Sequence, residues 1–237
     1  MSFPDLQFTD SESIRDLGQF LARARSINDD GVLLQTAGSA LAVYVPLLEV
    51  GELGLPLSRN YDDAAPDREQ PADALLILGM RVSRLAAQYA GNVGVFNIGD
   101  VTDRTAHLAD ASIATSESLL IPAPPAERPA KWSRLVPPRS GWELQAEVSA
   151  EEMENYATSA IAAVAEALPE NPGGAVVLTV RSRIWTSPME SNGLPLGTAV
   201  ALKTLGFLTP GEAVRRTAVG TWNRLSTSKG HVLVYQR

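Results

Sequence analysis

Cysteine is absent from this 237-residue chain, and histidine occurs only twice, at His107 and His231. The first absence removes disulfide frameworks, thiolate nucleophiles and cysteine-type zinc sites together. The two histidines stand far apart, outside any ligand spacing such as HExxH, so neither a metal site nor a cofactor is expected. No GxSxG elbow, GxxxxGK[ST] phosphate loop or GxGxxG turn follows a strand-like run. No apolar run approaches the roughly eighteen residues that span a bilayer, which argues against membrane association. The opening MSFPDLQFTD is acidic where a secretory signal is basic and then apolar. A cytoplasmic protein is therefore expected.

Lysine is scarce, three residues against seventeen arginines, and the net charge is -7. That charge is unevenly spread. Arg181 to Arg237 holds eight Lys or Arg against two acids, whereas the remainder holds twelve against twenty-five. Basic and acidic segments of one chain usually neutralise each other locally. An acidic protein is also a poor candidate for nucleic acid, where phosphate neutralisation dominates affinity.

What the chain does have is a partial internal repeat. Leu6-Gln7, a polar cluster, an amphipathic stretch and GVLLQTAGSALAVYVP recur about 140 residues later. There Leu144-Gln145, Ser149, the helical stretch 151–168 and GAVVLTVRSRIWTSP follow in the same order. Gly54-Leu55-Pro56-Leu57 is echoed by Gly193-Leu194-Pro195-Leu196, and Leu78-Gly79-Met80 loosely by Leu205-Gly206-Phe207. The expected fold is α+β with mostly antiparallel sheet: two similar lobes, each a strand, a helix and a β-hairpin. The predicted division is an N-terminal lobe over 1–120, a proline-rich connector over 121–141 and a C-terminal lobe over 142–237.

In the first lobe Asp10 or Ser11 caps a helix whose apolar face is Ile14, Leu17, Phe20, Leu21 and Ala24. Val32–Thr36 and Leu41–Val45 are read as a hairpin turning at Ala37-Gly38-Ser39. Residues 58–71 are polar and aperiodic, an exposed loop. Leu75–Leu85 and Val93–Ile98 are read as strands, with Asp100 or Thr102 capping a helix toward Ala111. Six of sixteen prolines fall between Ile121 and Gly141, which makes that stretch extended, with Trp132 pinning it to a lobe.

In the second lobe a helix carries Met153, Ala157, Ile161, Val164 and Leu168 on one face. Ala175–Val180 and Arg183–Thr186 are read as the second hairpin. Thr198–Leu205 is a helix closed by Gly206. Residues 209–224 admit two readings. Thr209-Pro210-Gly211-Glu212 has the form of a capping box, which would make a winged helix-turn-helix presenting Arg215, Arg216, Asn223 and Arg224 to DNA. The Thr, Val and Trp content and the Ser228-Lys229-Gly230 turn favour instead a closing hairpin of Trp222–Thr227 with His231–Gln236.

No catalytic set emerges. Asp100 with Asp103 and Asp62 with Asp63 are explained by caps and a solvated loop, and Ser226 with Lys229 lies in a turn rather than on a helix face. The strings VPPRSGWE (136–143), ALKTLGFL (201–208) and WNRLSTSKGHVL (222–233) stand out as a signature. With the abundant alanine and arginine, this signature resembles a family of uncharacterised actinobacterial proteins, for which the resemblance implies no activity. Within it Arg139 is either an interior ion-pair partner or, with Trp142, a contact for an anionic ligand. Arg139, Trp142, Arg224 and His231 are the candidate ligand-binding residues, and no residue is assigned as catalytic. The expected function is non-catalytic binding, assembly or regulation, as a homo-oligomer such as a homodimer or with a protein partner. A hydrolase or transferase at the lobe junction, using Arg139, His231 or Asp100 and Asp103, is the alternative; a DNA-binding regulator is the second.

Overall fold

A computed structural model describes residues 3–51, 74–110, 119–125 and 128–237. The loop at 58–71, Asp62-Asp63 and the first Gly-Leu-Pro-Leu lie outside the described residues. The chain runs β1 (Leu6–Gln7), α1 (Ser11–Arg25), β2 (Val32–Val50), β3 (Leu75–Tyr89), β4 (Val93–Phe96), α2 (Ile98–Asp110) and β5 (Leu120–Ile121). After a short 3-10 helix at Trp132–Arg134 come β6 (Glu143–Ser149), α3 (Ala150–Ala167), α4 (Gly174–Trp185), α5 (Leu196–Thr204), β7 (Ala213–Val219), β8 (Trp222–Ser226) and β9 (His231–Gln236). The architecture is α+β and, as expected, the sheet is antiparallel. No helix among the described residues is long and apolar enough to cross a membrane.

Both halves open as the repeat requires. Asp10 caps α1 by accepting a hydrogen bond from the Ser13 amide at 2.7 Å, and Ser149 caps α3 by accepting one from Glu152 at 3.1 Å. Side-chain oxygens in this position satisfy amides that a helix start leaves unpaired. All five residues of the predicted α1 face are buried. Each half then lays a helix pair, α1 with α2 and α3 with α5, over its strands.

Seven strands form one sheet in the order β4-β2-β3-β9-β8-β7-β6. The junction between the halves is the β3–β9 ladder, from Leu75 opposite Gln236 to Met80 opposite His231. Successive strand residues point to opposite faces, and the core divides accordingly. Leu75, Ile77, Val232 and Val234 join the helices in the larger cluster. Leu76, Leu78, Leu233 and Tyr235 face the other way, where Trp132 of the connector and Trp142 just after it cover them.

Several expectations are corrected. Residues 32–45 are not a hairpin but part of the single strand β2, which pairs with β4 through Val32–Gln35 and with β3 from Gly38 onward. Gly38, at φ 61°, accommodates a register shift rather than a reversal. Residues 174–185 are a helix, not the second hairpin. Strand preference largely measures packing against a pleated neighbour; this segment meets α3 and α5 instead, anchored by the buried Trp185. The second helix begins at Ile98, so Asp100 and Thr102 sit inside its first turns; the Thr102 hydroxyl donates back to the Ile98 carbonyl. On α3, Ala160 is buried while Ile161 is 41% exposed, a slight rotation of the predicted face.

Residues 213–219 form a strand, which removes the winged-helix reading. Gly211, at φ 79°, and the Glu212 carboxylate, which accepts hydrogen bonds from Ser228, make the 209–212 segment a turn rather than a helix start. The closing hairpin and the α5 helix with Gly206 behind it are as expected. Leu78-Gly79-Met80 is strand whereas Leu205-Gly206-Phe207 is a helix terminus, so that echo does not extend to structure.

Candidate functional site

The connector reaches the sheet through a tight turn. The Trp142 indole N–H donates to the Pro138 carbonyl at 2.9 Å, closing a loop over Arg139 and Ser140. Gly141 permits it with φ 84°, a conformation costly for other residues. Trp132 anchors the preceding stretch, 1% exposed, with its indole N–H donating to the Asp30 carbonyl at 3.1 Å.

Between this loop and the sheet lies a cavity of about 190 Å³. Its floor is the connector-side face of β2, where Ala40, Ala42 and Tyr44 alternate, with Met80 of β3 and Leu233 of β9. Pro137, Pro138, Arg139 and Trp142 form its roof, and Arg224 of β8 its end wall. The two alanines leave the space, because a larger residue at either would fill it.

Charge and rings are concentrated here. The Arg224 guanidinium carbon lies 4.4 Å from the Trp142 ring centroid, a cation–π stack. Burial lowers the Arg224 pKa from its ordinary value, and the buried Nε finds no hydrogen-bond partner among the described residues. Burial raises the Tyr44 phenol, an effect opposed by the charge of Arg139. Neither Arg139 nor Arg224 forms an ion pair among the described residues, so the reading of Arg139 as an interior ion-pair partner is not what is found there. Arg139 is exposed at the rim.

Of the four residues proposed from sequence, Arg139, Trp142 and Arg224 converge on this cavity. His231 stands on the same face of β9 one diagonal step from Arg224, but outside the lining; its Nδ1 shares a 2.9 Å hydrogen bond with Ser226 Oγ. Burial, and then the Arg224 charge, push its pKa down to about 4. Tyr44, Gln35 and Met80 complete the site and were not anticipated. The alternation Ala40-x-Ala42-x-Tyr44 was the available signal, hidden by reading 32–45 as a hairpin. Asp100 and Asp103 do not join Arg139: α2 packs into the helix-side core through Val101, on the other face of the sheet.

A family described as a domain of unknown function (DUF8185) matches residues 137–237. That stretch starts at Pro137 and contains Arg139, Trp142, Arg224 and His231; the β2 and β3 walls lie outside it. No curated protein matches the chain. Among solved structures, it is similar to the DNA polymerase III beta subunit of Thermotoga maritima, at 12% identity and a TM-score of 0.49, covering 99% of this chain and 64% of that one. It is similar also to a sliding clamp, the DNA polymerase III beta subunit, of Bartonella birtlesii solved with griselimycin, at 11% identity and 0.49, covering 99% and 65%. A DNA polymerase sliding clamp from Pseudomonas aeruginosa follows at 10% and 0.44, covering 99% and 64%. The chain thus spans just under two thirds of those proteins' length, and no residue role passes from them at this level of similarity.

Proposed function

We propose that this is a non-catalytic binding protein of the cytoplasm, serving assembly or regulation, and that the Arg139–Arg224 cleft receives an anionic group of its ligand. The observation carrying this reading is the stack of Arg224 on Trp142 beside Arg139. A guanidinium carbon 4.4 Å from an indole centroid engages the ring through the cation and leaves N–H groups to meet a carboxylate or phosphate.

The walls define the rest of the ligand. Ala40, Ala42, Met80, Leu233 and Pro137 offer aliphatic contact, and Trp142 and Tyr44 offer rings. At about 190 Å³ the cavity is below the roughly 300 Å³ of ordinary small-molecule sites, so it accommodates one anionic group with a short apolar body. The resemblance to uncharacterised actinobacterial proteins and a homodimeric state belong to the same proposal.

A thermal-shift and calorimetric panel of carboxylates and phosphate monoesters, each beside a neutral analogue, tests it. Ligands binding the folded state raise the melting temperature. At least one anion is expected to stabilise the wild type and to lose that effect in Arg224→Met and Arg139→Met. A panel without effect, or a shift unchanged in both variants, overturns the reading.

A further inference from the structure

The strand that floors the Arg139–Arg224 cleft narrows the class of ligand. Side chains alternate between the two faces of a strand, so odd and even positions of an undisturbed β2 point to opposite sides. Up to Leu34 the odd positions face the connector: Leu33 joins the connector-side cluster, while Val32 and Leu34 join the helix-side core. From Leu41 the parity is reversed, with Tyr44 on the connector side and Leu41, Val43 and Val45 on the helix side. The change falls at the register shift between Gly38 and Ala40, where Gly38 adopts φ 61°. This irregularity brings Gln35 and Tyr44 onto one face, and both line the cleft.

The two residues mark opposite ends of the floor. On β2 the lining runs from Gln35 through Ala37, Ala40 and Ala42 to Tyr44. The cations gather at the Tyr44 end. Arg139 acts on the Tyr44 phenol through its charge, and Arg224 stands in the cross-strand row that passes through Leu233 and Leu78 to Pro46, two residues beyond Tyr44. No other charged residue among those described lines the cleft, so its Gln35 end is neutral.

Both ends carry an unused hydrogen-bonding group. Neither the Gln35 carboxamide nor the Tyr44 hydroxyl takes part in a side-chain hydrogen bond among the described residues. Neither is sealed from solvent, so a ligand can reach both. Burial raises the Tyr44 phenol, which therefore keeps its proton and serves as a donor. The Gln35 carboxamide both donates and accepts, which suits a neutral polar group. An alkyl end placed there would strip water from the amide without replacing its hydrogen bonds, and a second charge would find no counter-ion.

Resting on the reading of this cleft as an anion site, we infer that its ligand is a short bifunctional molecule. A carboxylate or phosphate head meets Arg139, Arg224 and the Tyr44 hydroxyl, an aliphatic body lies over Ala40 and Ala42, and a hydroxyl or amide tail pairs with the Gln35 carboxamide. Tyr44 and Gln35 are then the residues that set specificity, one for the head and one for the tail.

Isothermal titration calorimetry tests this with aliphatic carboxylates and phosphate monoesters of graded length, each ending in a methyl, hydroxyl, amide or carboxylate group. The series that binds identifies the head. Hydroxyl- or amide-tailed members are expected to bind the wild type about threefold to tenfold more tightly than those ending in methyl or carboxylate. Gln35→Met is expected to abolish that preference and leave the methyl-ended affinities in place. Tyr44→Phe is expected to weaken every anion by a similar factor and keep the preference, with circular dichroism verifying the fold of both variants. Anion binding indifferent to the tail, a preference that survives Gln35→Met, or a Tyr44→Phe variant that binds every anion unchanged would overturn this inference and leave the anion site standing. Failure of every anion to bind overturns both.

Discussion

Arg224 on β8 and Trp142, just after the connector, face each other at 4.4 Å, and through them the last strands of the sheet hold the end of the proline-rich segment that crosses from one half to the other. The contact is both a packing element and one wall of the candidate site. Trp142→Leu keeps apolar bulk but removes the cation–π stack and the hydrogen bond to Pro138. We expect a loss of about 1–2 kcal/mol in chemical denaturation together with loss of anion binding. A variant with unchanged stability would show that the stack contributes nothing.

His231 makes stability depend on pH. Its pKa is about 4 in the folded protein against 6.5 as the ordinary value, so folding favours the neutral ring. Above 6.5 the ring is neutral in both states and has no effect. As pH falls from 6.5 toward 4 the unfolded chain takes up a proton that the native ring refuses, and stability declines by at most about 3 kcal/mol, levelling off below. Urea titrations between those limits should show His231→Gln with a flatter slope than the wild type; parallel slopes would exclude this role.

Glu49 acts in the opposite direction. Burial, reinforced by Asp30 and opposed by Lys131, raises its carboxyl above its ordinary value of 4.5. The native state therefore favours the protonated form, and stability falls as pH rises from 4.5 through the raised native value. Glu49→Gln should melt at a higher temperature than the wild type at neutral pH, with the advantage disappearing in acid.

Gly206 ends α5 with φ 72°, and a Cβ there would collide with the Arg23 guanidinium, whose Nη1 donates to the Leu205 carbonyl at 3.0 Å. This couples the C-terminus of α5 in one half to α1 in the other. Gly206→Ala should cost about 1–2 kcal/mol through the left-handed conformation, and more where Arg23 is displaced. Thermal denaturation of Gly206→Ala with and without Arg23→Met separates the two contributions, because removing the guanidinium relieves only the collision.

Elements governed by interactions a few residues long were legible. The caps at Asp10 and Ser149, the apolar face of α1, the closing hairpin and the glycine stop after α5 each rest on a spacing visible in the chain. Residues 32–45 and 174–185 misled for one reason: both combine β-branched residues with glycine, and whether such a segment runs on, turns or coils depends on its neighbours. Of the site, Arg139, Trp142 and Arg224 were legible as cations and a ring in unusual contexts. Their partners on β2 and β3 were not.

By itself the sequence determined the local matters: no thiol chemistry, an α+β antiparallel class, capped helices opening each half and a connector weighted with proline and tryptophan. Such features follow from composition and from contacts between near neighbours in the chain. Only the tertiary structure decided that β3 and β9 join both halves in one sheet, and that Ala40, Ala42 and Tyr44 share a face with Arg224. Strand register depends on pairings between residues more than a hundred positions apart, which no local pattern encodes.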